Sequence, residues 1–87
     1  MKYKLAEDVM LQKFEGERYV IDLLNEKTYN VNDDAFKILE CINDVFMSVE
    51  EICEVLGDGQ VSASEIDKEY IEEFTRSIKD KGLLACQ

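Results

Sequence analysis

The chain has 87 residues, a length that fits one domain, and its 46% hydrophobic content favours a folded domain over disorder despite 34% charged residues. Its 20 acidic and 10 basic residues give a net charge of −10, and the basic residues are scattered singly or in pairs. Because a polyanion needs clustered cations to bind, nucleic acid and anionic membrane surfaces are disfavoured as partners.

The residues that most often carry chemistry are missing or isolated. Histidine is absent, which removes the commonest general base and metal ligand. Cys41, Cys53 and Cys86 are an odd number without CxxC spacing, so we predict reduced thiols in a cytoplasmic protein. The chain start lacks the apolar segment of a secretory signal, and no apolar run approaches the roughly 20 residues of a membrane span.

The remaining catalytic and metal-binding templates also fail. The four glycines are assigned to turns and caps, which leaves no phosphate-binding loop, and Gly57-Asp58-Gly59 lacks the ligand pattern of a calcium loop. Adjacent carboxylates such as Glu50 and Glu51 diverge by about 100° on a helix and form a solvated face. We therefore predict a chain that is not an enzyme and uses no metal or cofactor.

Three short strands are predicted in the first third of the chain. Each is rich in apolar, β-branched or aromatic residues, and short polar turns separate them. The three strands are Val9–Phe14, Tyr19–Leu24 and Thr28–Asn32. The last of them alternates, with Tyr29 and Val31 on one face. Such a series predicts an antiparallel meander.

The period then changes to that of helices. Asn32 or Asp33 can cap a first helix, whose apolar stripe is Ala35, Phe36, Ile38, Leu39 and Ile42. Ser48 and Glu51 form a capping box that opens a second helix, and Gly57–Gly59 ends it.

A third helix, the longest, ends at Gly82. Ser62 with Glu65, or Ser64 with Asp67, can cap its start. Its apolar residues, predicted to face the core, are Ile66, Tyr70, Ile71, Phe74 and Ile78.

The element order β-β-β-α-α-α predicts an α+β, winged-helix-like architecture. In it a three-stranded antiparallel sheet precedes three helices that pack on one sheet face. We expect a single domain over residues 1–87, with its core at about 7–84.

One edge strand of such a meander is left unpaired and offers main-chain groups to an extended peptide. If Thr28–Asn32 is that edge, a peptide can bind between it and a nearby helix. Residues such as Tyr29 and Val31 are more often core residues than recognition residues, and the sequence alone does not overturn that interpretation.

Four stretches of the chain follow one another in a specific order and spacing, although each is generic alone. They are Val20–Leu24 with Thr28–Asn32, Ala35–Ile42, Ser48–Ile52, and Ile71–Phe74 running to Gly82-Leu83-Leu84. Together they resemble the PqqD-like family, the recognition elements of ribosomally synthesised and post-translationally modified peptide pathways. The resemblance extends from about Glu7 to Leu84. Val31 and the lack of a tryptophan near Phe36 and Leu39 depart from the family pattern.

The resemblance implies a peptide chaperone that binds the leader region of a precursor peptide as an added strand, in the groove between the third strand and the third helix. It implies delivery to a modifying enzyme such as a radical SAM protein, a cyclodehydratase or a leader peptidase. The strand residues implied for binding are Lys27, Thr28, Tyr29, Asn30 and Val31.

On the helix, two flanks are open. With Phe74 facing the core, the favoured flank has Ile71 and Thr75, with Lys68 and Lys79 beyond them. The other flank has Ile66 and Ser77, with Glu69 and Glu73 beyond.

Two alternatives stay open: a winged-helix DNA-binding regulator and an accessory subunit of a larger enzyme. The first would use the third helix, whose acidic residues outnumber its basic ones, so that its field repels DNA.

Overall fold

The structure, a computed structural model, describes residues 1–57 and 68–87. Its elements follow in chain order: β1 (Tyr3–Leu5), β2 (Val9–Phe14), β3 (Glu17–Asp22), β4 (Lys27–Val31), α1 (Asp33–Cys41), α2 (Val49–Gly57), α3 (Lys68–Asp80) and β5 (Leu84–Cys86). The α+β fold with a three-stranded antiparallel sheet and three helices is confirmed. The predicted cap of the third helix and Ile66 lie outside the described residues.

The predicted meander is an antiparallel sheet in the order β2-β3-β4. Glu15 and Gly16 form the two-residue turn between β2 and β3, with φ of 51° and 81°. Two consecutive left-handed residues match the right-handed twist of a hairpin, so this turn holds Phe14 opposite Glu17. Register along the whole β2–β3 ribbon follows from that turn.

A buried carboxylate closes the turn between β3 and β4. Asp22 is 3% exposed. Its Oδ1 accepts from the Asn25 backbone N–H at 3.2 Å, and its Oδ2 accepts from Asn25 Nδ2 at 2.8 Å. The side-chain hydrogen bond from Asn25 is the main reason that the pKa of Asp22 lies below its usual value of 3.8. This turn fixes where β4 starts.

Both helix caps that fall on described residues are confirmed. Asn32 Oδ1 accepts from the Ala35 N–H at 2.7 Å and caps α1. In the capping box of α2, Ser48 Oγ accepts from the Glu51 N–H at 3.1 Å. The Ser48 N–H in turn donates to Glu51 Oε1 at 2.9 Å.

A second, two-stranded sheet joins the chain ends and is absent from the sequence prediction. β1 pairs antiparallel with β5, so that Leu5 lies opposite Leu84. Tyr3 also exchanges backbone hydrogen bonds with Met47, at 2.8 and 2.9 Å. Leu5 is buried, and the core therefore includes a residue ahead of position 7, where the sequence placed its start. Three-residue strands are too short to show alternation.

The core lies between one face of the three-stranded sheet and the helices. α1 packs on β2 and β3, α2 packs against α1 and α3, and α3 also contacts β5. The largest fully buried apolar side chains come from every layer: Val20, Ile38, Leu39, Ile42, Ile52, Ile71 and Leu83.

The rotation of α3 differs from the prediction. Ile71, Thr75 and Ile78 are its buried residues, whereas Phe74 is only half-buried. Thr75 tolerates full burial because its hydroxyl donates to the Glu72 carbonyl at 3.1 Å. The expectation that Phe74 faces the core with Ile71 and Thr75 at its side is therefore wrong, and the core-facing line runs through Ile71 and Thr75.

Asp22→Ala is expected to lower the melting temperature at pH 7. Because the pKa of Asp22 is depressed in the folded state, its contribution is present above pH 3.8 and is lost as pH falls through the folded pKa. The gap between wild type and variant should therefore shrink in acid, as measured by thermal melts at several pH values. Asp44→Ala, at an exposed aspartate after α1, is the control. A gap that stays constant down to pH 2.5 would show that the turn does not use the ionised carboxylate.

Candidate functional site

The last strand of the meander has an open side. The sheet order β2-β3-β4 gives β4 one hydrogen-bonded neighbour among the described residues. In that same part of the chain, α3 packs closely against α2 and β5 but less closely against β4. The side of β4 that faces away from β3 is thus an edge.

The ladder pattern shows which main-chain groups point out of this edge. The Leu23 N–H donates to the Asp8 carbonyl at 2.8 Å and continues the β2–β3 ladder. Antiparallel pairs alternate between bonded and non-bonded, so odd-numbered residues of β3 bond to β2 and even-numbered residues bond to β4. Their partners in β4 are Lys27, Tyr29 and Val31. Thr28 and Asn30 therefore direct their N–H and C=O groups away from the sheet.

The side chains of β4 divide between two faces. Tyr29 lies opposite Val20 and, like Val31, is half-buried against the core. Thr28 and Asn30 are exposed on the opposite face, where Asn30 Nδ2 donates to Glu17 Oε2 at 3.0 Å. One edge of the sheet thus carries outward main-chain groups at Thr28 and Asn30 and apolar side chains at Tyr29 and Val31. Binding of a peptide as an added strand requires both.

The four α3 residues that the sequence favoured for binding do not form an accessible surface beside β4. They are Lys68, Ile71, Thr75 and Lys79. Ile71 is fully buried and Thr75 is 1% exposed, so Ile71 is closed to a ligand and Thr75 offers almost no surface. Lys68 Nζ lies 3.2 Å from a Glu50 carboxylate oxygen, and this contact raises the pKa of Lys68. Lys79 Nζ lies 3.9 Å from Met1 Sδ.

A surface cavity of about 440 Å³ lies beside this flank of α3. Its lining comes from α2, α3 and the chain start: Met1, Tyr3, Val49, Glu50, Glu72, Thr75, Arg76 and Lys79. No residue of β4 lines it. The Lys68–Lys79 flank of α3 thus faces α2 and β1, and the structure does not bring it to the β4 edge.

Two aromatic residues occupy the other flank of α3. Tyr70 and Phe74 are one helical turn apart and their rings stack with centroids 6.4 Å apart. Both are half-buried against the core, as are Tyr29 and Val31. The sequence assigned both to the core, because an apolar stripe gives the period of a helix more reliably than its rotation.

Over residues 1–57 and 68–87, no group of three histidine, cysteine, aspartate or glutamate side chains could hold a metal ion. In the same ranges no helix has the length and apolarity needed to cross a bilayer.

Comparison with known proteins gives matches in structure and none in sequence. No protein-family model matches the chain. No curated protein matches it at a significant level. A lasso peptide synthetase B1 complexed with its leader peptide matches with a TM-score of 0.73 at 16% identity, over 99% of this chain and 100% of that one. TbiB1 in complex with the TbiA(beta) leader peptide matches with a TM-score of 0.72 at 16% identity, over 97% and 96%.

These matches establish the class of fold. The three chains share one α+β fold over nearly their whole lengths, in agreement with the fold that the family resemblance implied. Both structural neighbours were solved with a leader peptide bound.

Amide exchange in the free protein tests the edge assignment. The Thr28 and Asn30 amides should exchange faster than those of Tyr29 and Val31, by roughly tenfold or more, because a bonded amide must open before it exchanges. Residue-resolved NMR hydrogen exchange measures this directly. The reverse order, with Thr28 and Asn30 protected, would show that the ladder alternation is shifted by one residue.

Proposed function

We propose that this chain is a non-catalytic peptide chaperone that binds the leader region of a precursor peptide by strand addition to β4. The observation that carries the proposal is the pair of outward-facing main-chain positions, Thr28 and Asn30, on an open sheet edge. The leader-peptide complexes of both structural neighbours support it.

The main chain of β4 supplies affinity without much selectivity. Two outward positions provide two N–H donors and two C=O acceptors, and each hydrogen bond contributes about 0.5–1.5 kcal/mol net. These bonds do not depend on the guest's side chains. Selectivity must therefore come from the side chains beside the edge.

Those side chains are Tyr29 and Val31 on the strand and, in this proposal, Tyr70 and Phe74 on the helix. All four are half-buried and pack against the same core. They replace Lys68, Ile71, Thr75 and Lys79 as the helix side of the proposed site. Ile71 and Thr75 then act from beneath, by holding α3 in its rotation.

The chain would act by delivery. A guest bound through its leader leaves the rest of the precursor free for a modifying enzyme, such as a radical SAM protein, a cyclodehydratase or a leader peptidase. A cytoplasmic location agrees with three cysteines that form no disulfide. Burial raises the pKa of the Cys41 thiol, which makes it a poor nucleophile.

DNA binding through α3 is disfavoured. Its flank towards the cavity carries Lys68 and Lys79, but Lys68 is paired with Glu50 and Glu72. The side away from the core exposes Glu69 and Glu73. A low-salt gel shift tests this alternative, and salt-sensitive DNA binding would revive it.

Proline substitution distinguishes the two sheet edges. By the same alternation, Lys13 directs its N–H out of the β2 edge, as Asn30 does at β4. Asn30→Pro removes a donor to the guest and should weaken leader binding by on the order of tenfold. Lys13→Pro should leave it unchanged.

Affinities are measured by calorimetry with a synthetic leader of the precursor encoded beside this chain. NMR with the wild type should show the Thr28 and Asn30 amides shifting. If Lys13→Pro is the variant that weakens binding, the guest adds to β2 instead.

A second pair of variants tests the helix flank. Phe74→Ala should weaken leader binding by roughly tenfold, because a large apolar contact is lost. Lys79→Ala, one turn further on the opposite flank, should leave it unchanged. Thermal melts of each variant separate lost binding from lost folding. The opposite ranking would return the site to the Lys68–Lys79 flank.

A further inference from the structure

The face of the sheet opposite the core carries an unusual amount of apolar surface. Met10, Phe14, Tyr19 and Ile21 point to this outer face by the alternation of β2 and β3, and Leu23 continues it. Met10 is 44%, Phe14 59% and Leu23 57% exposed. A solvated face of an antiparallel sheet is normally polar.

The five side chains, here called the apolar stripe, are neighbours. Met10 lies directly opposite Ile21, and Tyr19 and Leu23 are its diagonal neighbours across the pair. Tyr19 is also diagonal to Phe14, at the hairpin end. On β2 the polar Gln12 separates Met10 from Phe14, and the stripe runs along the ribbon through Tyr19 on β3. No element among the described residues packs on it, since α1 contacts the other face.

Charges of the sheet separate by face. By the alternation of the strands, the basic side chains all lie on the face of the sheet that packs on the helices. They are Lys13, Arg18 and Lys27. The Lys13 amine lies 5.4 Å from the centre of the Phe36 ring. Arg18 Nε is 3.0 Å from Asp33 Oδ1, without the alignment of a hydrogen bond, so we count this contact as an ion pair.

The charged side chains on the outer face of the sheet are all acidic. Asp8 and Glu17 share the alternation of the stripe, opposite Leu23 and Phe14, and Glu15 lies at the adjoining turn. No lysine or arginine of β2, β3 or β4 points this way. The stripe is thus an apolar surface with an acidic rim.

We propose that the apolar stripe is a docking surface for a second folded protein whose contact surface is apolar at its centre and lined by lysine and arginine. Taking the function proposed above as given, that protein is the modifying enzyme. A second copy of this chain is a poor occupant, because the two acidic rims would face each other and each chain carries a net charge of −10.

The position of the stripe suits delivery. A guest strand adds to β4 in the plane of the sheet, so it leaves the outer face of β2 and β3 uncovered. Half of the guest's side chains would extend the same outer face beyond Thr28 and Asn30. Guest and enzyme would then meet on one surface, with the enzyme held beside the segment it receives.

The test compares two binding partners with one set of variants. Met10→Ser combined with Phe14→Ser should weaken binding of the purified enzyme encoded beside this chain by about tenfold or more, since apolar contacts at the centre of an interface dominate its energy. Leader affinity and melting temperature should not change, because both side chains are exposed. Val45→Ser, at a 53% exposed valine outside the sheet, is the matched control.

Charge is tested separately. Glu15→Lys should weaken enzyme binding and reduce its dependence on salt, as expected when a rim charge attracts a basic partner. Sedimentation of the wild type and the double variant tests self-association. A wild-type dimer that the double variant disrupts would assign the stripe to a second copy and overturn the proposal.

The outcomes separate this proposal from the proposed function. Enzyme affinity that is absent in the wild type, or equal in wild type and double variant, overturns the docking surface while leaving leader binding to β4 intact. Conversely, a leader that does not bind, together with stripe-dependent enzyme binding, supports the docking surface and overturns strand addition.

Discussion

The alternation of the β3–β4 ladder is the constraint on which the candidate site depends. Side chains and main-chain groups of a strand alternate together, so a shift of one residue would exchange every role along β4. The Asp22–Asn25 turn prevents such a shift with two hydrogen bonds that one buried carboxylate accepts from Asn25. The outward N–H groups of Thr28 and Asn30, and the inward ring of Tyr29, are consequences of that turn.

The same alternation sorts the charges of the sheet. Lys13 and Arg18 reach helix-side partners, Phe36 and Asp33, while the outer face keeps only acidic groups around apolar ones. Net charge alone would describe an acidic protein that repels other acidic ones. The division of charge between the two faces of the sheet gives the molecule two chemically different surfaces, one basic and helix-facing, the other apolar with an acidic rim.

The sequence was sufficient wherever the signal is local. The β2–β3 turn, the Asn32 cap and the Ser48–Glu51 box each involve residues close together in the chain. The turn and the box were predicted, and Asn32 was one of two predicted caps. β1 and β5 were missed because three-residue strands have no measurable period and pair across nearly the whole chain. The edge at β4 followed from element order, but the outward positions required the ladder itself.

The flank of α3 shows why a correct helix can still carry a wrong site. Ile71, Phe74, Thr75 and Ile78 span a continuous arc, and hydrophobicity ranks Phe74 above Thr75 for burial. The structure reverses that order, because Thr75 satisfies its hydroxyl within its own helix and so fits a tight, fully buried position. The rotation that buries Thr75 places Phe74 and Tyr70 at the margin of the core. Aromatic side chains at a margin can both support the core and contact a guest, so in the proposed site binding and stability would share residues on this flank.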